Sequence, residues 1–218
     1  MRFVFYFLYI AQHWGISLAC FIIRYEIWGE KQFGIRTIGI DNLTADVSKE
    51  DRKHAAMYEP VNYYTATWLF DHLQPDDLQT SLLDVGCGKG RILAIGAAYG
   101  FKDLTGIDIS PKLCQKTRQA TTILHQQYQN ITTTITCVNA RDYDITDTTG
   151  VIFLFNPFDD VVMKEFIQKV EESLARKPRP IKILYANPQC KQQWLDAGFT
   201  ETASFVKMKY LKGCVLEK

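Results

Sequence analysis

The run Ser81-Leu82-Leu83-Asp84-Val85-Gly86-Cys87-Gly88-Lys89-Gly90-Arg91 leaves few folds open to this chain. Leu82, Leu83 and Val85 supply a short apolar strand. Gly86, Gly88 and Gly90 supply a turn whose backbone has no Cβ, so a ligand can lie close against it. Ile92 to Tyr99 then continues as an apolar helix. A strand, a glycine turn and a helix in this order form the unit at which open α/β sheets bind nucleotide-like cofactors.

The glycine spacing is G-x-G-x-G, with Arg91 next. The dinucleotide fingerprint G-x-G-x-x-G spaces its third glycine differently. Leu104-Thr105-Gly106-Ile107-Asp108-Ile109 reads as a second strand ending in an acid. A carboxylate at that tip can accept both hydrogens of a ribose diol. A helix cap is the plainer role for Asp108, but Ser110-Pro111 already supplies a cap and a first-turn proline.

Together, L-L-D-V-G-C-G-K-G-R and G-I-D-I-S resemble the first two motifs of the class I S-adenosylmethionine-dependent methyltransferases, over roughly residues 58–218. The resemblance implies S-adenosyl-L-methionine as cofactor. It implies that Gly86, Cys87 and Gly88 hold the methionine part, and that Asp108, with Ile109 beside it, holds the ribose. Asp84 would order the loop or meet the cofactor's amino group. The third motif, usually Gly-Asp-Ala, corresponds to Asn139-Ala140, which would meet the adenine. Asn139 stands where the acid is expected, and its amide oxygen can still accept from an exocyclic amine. Asp142 is an alternative there, against the plainer role of an exposed turn acid.

Val151 to Phe155 is fully apolar, as in a central parallel strand, and stops at Asn156-Pro157-Phe158. This resembles the N-P-P-F/Y motif of amino-group methyltransferases, with one proline in place of two. In that motif the Asn oxygen and a neighbouring carbonyl accept the amine's hydrogens, and the ring stacks on the substrate. Attack on a sulfonium methyl needs orientation and desolvation more than a strong base. The plainer reading is a strand-ending turn in which Asn156 bonds its own backbone. A second Asn-Pro, Asn187-Pro188, ends the strand Ile181 to Ala186.

The remaining pattern alternates. Helices are expected near Trp68–Leu73, Pro111–Tyr128, Val161–Ala175 and Gln189–Ala197, with a strand over Ile131–Val138. Thr200–Leu211, Gly213 and Cys214–Glu217 read as a closing hairpin. The alternation argues for a doubly wound α/β sheet, and the resemblance implies that it is mostly parallel and seven-stranded, with helices on both faces and an antiparallel edge hairpin.

Phe3 to Ile23 carries no formal charge apart from His13 and is flanked by Arg2 and Arg24. As one helix it would be about 32 Å long, enough to cross a bilayer core. It suits a membrane anchor, an interfacial helix, or a helix packed on the domain. A signal peptide would need a small-residue cleavage site, and none closes the stretch. His13, Ser17, Cys20 and Arg24 share a wetter stripe. The expected divisions are an apolar segment over 1–30, a linker with N-terminal helices over 31–75, and a core over 76–218. Residues 24–57 read as the polar, linker-like part. In the resembled family a segment before the first strand closes over the cofactor. Tyr58 and Tyr63 are the candidates, and simple packing is the alternative for each.

A net charge of +1 over 218 residues gives no basic face for duplex nucleic acid. Arg176 to Lys182 reads as a solvated loop. The six cysteines form no C-x-x-C pair and the four histidines no ligand spacing with them, so reduced, buried thiols and no metal are expected. The chain reads as a cytoplasmic methyltransferase acting on an acceptor that no sequence signature singles out, with membrane association open through residues 3–23. Two alternatives stand beside it. One is a non-catalytic cofactor-binding module tethered to a membrane or partner. The other is a nucleotide-dependent oxidoreductase, against which the glycine spacing argues.

Overall fold

The computed structural model describes residues 2–41, 43 and 47–218. The glycine turn follows β1 (Ser81–Val85), which is buried along its whole length. It pairs in parallel with β2 (Asp103–Asp108) on one side and β4 (Thr149–Phe155) on the other. β3 (Thr132–Cys137) extends the sheet beyond β2, and β5 (Lys182–Ala186) beyond β4, both in parallel. β7 (Leu211–Glu217) runs antiparallel to β5, and β6 (Thr200–Lys207) antiparallel to β7. The order β3-β2-β1-β4-β5-β7-β6 is the expected doubly wound sheet with its reversed edge hairpin. The chain leaves β1 outward through β2 and returns at β4. The strand order therefore reverses at β1/β4, which opens a crevice at the carboxyl ends.

Helices cover both faces. α4 (Tyr63–Phe70), α5 (Arg91–Tyr99) and α6 (Pro111–Gln127) share one apolar cluster with Leu82, Leu104 and Phe153. α7 (Asp160–Arg176) and α8 (Lys191–Asp196) share the other with Leu83, Ile152 and Tyr185. Alternate strand residues feed opposite clusters, as the pleat requires. Ser110 caps α6, its Oγ accepting the Leu113 N–H at 3.1 Å. The edge hairpin turns at Met208–Lys209, both at positive φ, and not at Gly213. Gly213 sits inside β7, where a Cβ would come within 2.8 Å of the Phe205 ring.

Residues 3–23 are not one helix. α1 (Arg2–Trp14) ends at Gly15, whose φ of 96° turns the chain into α2 (Ile16–Phe33). Arg2 pairs with Glu30, so the two helices run antiparallel as a hairpin. Tyr6, Ile10, Leu18, Ala19 and Ile22 face inward and cluster with Leu211 of the sheet edge. The stripe of His13, Ser17, Cys20 and Arg24 is exposed throughout. Among the described residues no helix is long and apolar enough to cross a membrane. The membrane anchor is thereby replaced by packing on the domain.

Residues 24–33, read as the start of a linker, belong to α2, and α3 (Lys49–His54) follows. Positions 42 and 44–46 of that linker lie outside the described residues. A buried ion pair ties α2 to the glycine turn. Arg91 donates from both terminal nitrogens to the Glu26 carboxylate at 2.7 Å, and from Nε to Thr37 Oγ1 at 2.7 Å. Its guanidinium lies 4.0 Å from the centre of the Tyr63 ring. Two of the cysteines expected to be buried, Cys20 and Cys137, are exposed.

Candidate active site

The glycine turn is ordered from below. The N–H groups of Gly86 and Cys87 donate to the Ile107 carbonyl at 2.9 Å, and Thr117 Oγ1 donates to the Gly88 carbonyl at 2.7 Å. Asp108 Oδ2 accepts the Gly88 N–H at 2.9 Å, and its Oδ1 accepts the Ser110 N–H at 2.9 Å. So Asp108 braces the loop and the start of α6 as well as facing the crevice. Asp84 does not brace the loop. Its Oδ2 is buried with no hydrogen-bond partner among the described residues. Burial, and then the Asp108 charge, push its carboxyl well above the usual range.

A cavity of about 240 Å³ opens at the carboxyl ends of β1, β2, β3 and β4. Gly86, Asp108, Ile109, Asn139 and Ala140 line one part, and Asn156, Pro157 and Phe158 another. The structure brings these eight together. Asp84, Cys87 and Gly88 are not on its wall. Cys87 packs inward against Gly106, and burial, aided by Asp108, raises its thiol. A Cβ on Gly88, at φ 56°, would overlap the Tyr58 ring. Tyr58 thus covers the turn, its hydroxyl donating to the Thr37 carbonyl at 2.7 Å. Tyr63 is fully buried, stacked on Phe33, and takes no part in the cavity.

Asn139 caps a short turn. Its Oδ1 accepts the Arg141 N–H at 3.3 Å and its Nδ2 donates to Asp51 of α3 at 3.1 Å. Asp142, the alternative, is exposed and off the cavity wall. Asn156 and Asn187 both adopt positive φ, 43° and 47°, and both line the cavity. The Asn156 side chain does not bond its own backbone. Its Oδ1 accepts from the Tyr185 hydroxyl at 3.4 Å. Phe158 is 9% exposed, and its ring packs edge-on against Phe166, so it belongs to the core as much as to the cavity.

One wall is a strap over residues 54–59, all of which line the cavity, and of these sequence reasoning singled out Tyr58 alone. The strap is zipped to the Asn-Pro-Phe turn. The Ala56 N–H donates to the Pro157 carbonyl at 3.0 Å, the Asp159 N–H to the His54 carbonyl at 3.0 Å, and His54 Nδ1 pairs with Asp159 Oδ2 at 2.7 Å. At its other end Asp41 and Tyr58 exchange backbone hydrogen bonds. No periodicity marks such a strap, because the partners of His54 and Ala56 are more than a hundred residues away.

The residues present fit an adenosyl sulfonium cofactor. A carboxylate, Asp108, and an amide, Asn139, stand at the adjacent tips of β2 and β3, and the glycine turn follows β1 beside them. Residues 82–177 match the family model described as a methyltransferase domain. None of the curated proteins matches the chain. Among solved structures, the chain is similar to an RNA methyltransferase from Salinibacter ruber in complex with S-adenosyl-L-homocysteine, at 18% identity and a TM-score of 0.52, covering 72% of this chain and 91% of that one. It is similar to the 1,6-didemethyltoxoflavin-N1-methyltransferase of Burkholderia thailandensis at 14% identity and a TM-score of 0.53, covering 71% and 76%. A ribosomal protein L11 methylase from Lactobacillus delbrueckii subsp. bulgaricus gives 13% identity and a TM-score of 0.52, covering 83% and 98%. At these identities the likeness is one of fold, and the three named acceptors differ in kind. Residues 82–177 are thus similar to a methyltransferase domain, carried on a sheet of the order β3-β2-β1-β4-β5-β7-β6.

Proposed function

We propose that the cavity at the strand ends binds S-adenosyl-L-methionine and that the chain moves its methyl group to a nitrogen acceptor held at Asn156. When bound, the cofactor supplies an electrophilic methyl on a sulfonium. The observation that carries this reading is one shared cavity with Asp108 at the tip of β2 and Asn156 at the end of β4.

In this reading Asp108 takes the ribose hydroxyls from the tip of β2. Asn139 and Ala140 border the adenine, and Ile109 packs beside it. Gly86 leaves room for the methionine part: a Cβ there would lie 3.0 Å from Pro157. Gly88 and Cys87 act from beneath by setting the loop, and Asp84 lies buried behind them. Asn156 Oδ1 orients the acceptor nitrogen, and the strap excludes water from the transfer. Residues 76–218 supply the cofactor side and residues 1–75 cover it.

Methyl transfer from labelled S-adenosylmethionine into fractionated lysate tests the reading. Asn156→Ala should cut turnover about a hundredfold or more, the scale of lost orientation, while S-adenosylhomocysteine affinity stays. Equal turnover would remove the nitrogen acceptor from the proposal. If S-adenosylhomocysteine binds but no fraction is labelled, the non-catalytic binding module becomes the better reading.

A further inference from the structure

A second cavity, of about 300 Å³, adjoins the first. The two share Glu59, Phe155 and Asn187, so they meet beside the end of β4 where Asn156 sits. Its roof is the helical hairpin, through Tyr6, Ile10, Trp14, Leu18 and Ile22. Leu211 closes one side. The volume lies at the lower end of small-molecule pockets. Such a lining suits an apolar or aromatic body of small size.

Two polar groups inside have no partner. Thr65, at the start of α4, is 2% exposed and its hydroxyl makes no hydrogen bond. A buried hydroxyl left unpaired is costly, so its position on a cavity wall points to a ligand. Glu59 is half-buried and makes no hydrogen bond or ion pair among the described residues. Burial raises its carboxyl above the usual range, offset in part by His13. His13, Tyr6 and Tyr9 of α1 and Lys209 and Lys212 of the edge turn are the titratable groups around it.

The Pro157 carbonyl accepts from Ala56 and Asn156 Oδ1 accepts from Tyr185, which leaves each oxygen one further lone pair to orient a nitrogen. Neither carbonyl oxygen is basic enough to take a proton from an ammonium, and Glu59, which is, borders the same junction.

We propose that the second cavity holds the methyl acceptor, a small apolar or aromatic amine, and that Glu59 accepts a proton from its nitrogen. This rests on the methyl-transfer reading above. The ammonium gives one proton to the Glu59 carboxylate. The freed lone pair forms the N–C bond to the methyl as the C–S bond breaks, its electron pair going to sulfur. The methylated ammonium leaves, and Glu59 releases its proton to solvent.

Thermal melts of the full chain test this in two steps, with S-adenosylhomocysteine and then with 2-phenylethylamine or tryptamine at millimolar concentration. The first ligand should raise the Tm, and the amine should raise it again. Leu18→Phe, which narrows the second cavity, should abolish only the second rise. Ile22→Phe takes its place if Leu18→Phe does not fold. Glu59→Gln should fold normally, bind S-adenosylhomocysteine as well as the parent, and lose transfer to these amines about a hundredfold near neutral pH. Its rate should recover as the pH passes the amine's own pKa, because the amine then arrives unprotonated. No rise with S-adenosylhomocysteine overturns both readings. A rise with S-adenosylhomocysteine but none with any amine overturns the acceptor cavity alone. A Glu59→Gln enzyme with the parent pH profile overturns the proton role.

Discussion

The carboxyl edge of the sheet and the N-terminal cover meet in one cavity but are built on opposite principles. The edge is local. Gly86, Gly88 and Asp108 lie within 23 residues, and the loop is braced by its own neighbours Ile107 and Thr117. The cover is held by distant groups: Glu26 on Arg91, Tyr58 on Gly88, Ala56 on Pro157 and Asp51 on Asn139. The strand-end site is thus a compact unit in the chain, while the chamber beside it is assembled from segments far apart in sequence.

The sharpest way to break this comparison is to cut the tie between the regions. Arg91→Ala strands the fully buried Glu26 carboxylate and takes the donors away from Thr37 Oγ1 and the Val61 carbonyl. Removing one partner of a buried pair costs about 3–5 kcal/mol, and denaturant melts should show a loss of that size. A loss below about 1 kcal/mol, the scale of an exposed pair, would mean that the cover and the edge fold independently.

Gly88→Ala is a smaller perturbation. Left-handed backbone costs an L-residue about 1–2 kcal/mol, and the new methyl must displace Tyr58 as well. Proteolysis within residues 54–59 should accelerate while the sheet stays intact. Unchanged cleavage would show that Tyr58 does not hold the strap.

The smallest effect belongs to Lys89. Its ammonium donates to the Ile38 carbonyl at 3.1 Å and lies 4.8 Å from the centre of the Tyr58 ring. Burial, with Lys116 nearby, holds it at about 8, below the ordinary 10.5. The unfolded chain then binds more protons between those values, so this residue adds a rise in stability with pH through that window. Lys89→Met should flatten the rise. An unchanged slope from pH 8 to 10.5 would assign it to other groups.

The contrast also explains what the sequence made legible. The alternation of strands and helices, the closing hairpin and the strand–glycine turn–helix unit follow from short-range patterns, and the structure has them where they were expected. Residues 3–23 misled because apolar content alone does not distinguish one long helix from two short ones. Gly15, at φ 96°, decides it, with half the apolar surface turned against Leu211. Arg91 looked like a missing third glycine and is the clamp between the two regions. Glu59 carries no signal at all, since a lone acid between Tyr58 and Pro60 gains meaning only from two cavities that meet at it.

The central claim is that the strand-end cavity is a cofactor site read by Asp108. Calorimetric titration of S-adenosylhomocysteine into the parent chain and Asp108→Ala tests it most directly, with NADH as the comparison ligand. Hydrogen bonds to a charged group contribute about 1.5–3 kcal/mol. The parent should therefore bind S-adenosylhomocysteine and not NADH, and Asp108→Ala should bind about tenfold to a hundredfold more weakly. Equal affinity in the two proteins, or a preference for NADH, would contradict the account.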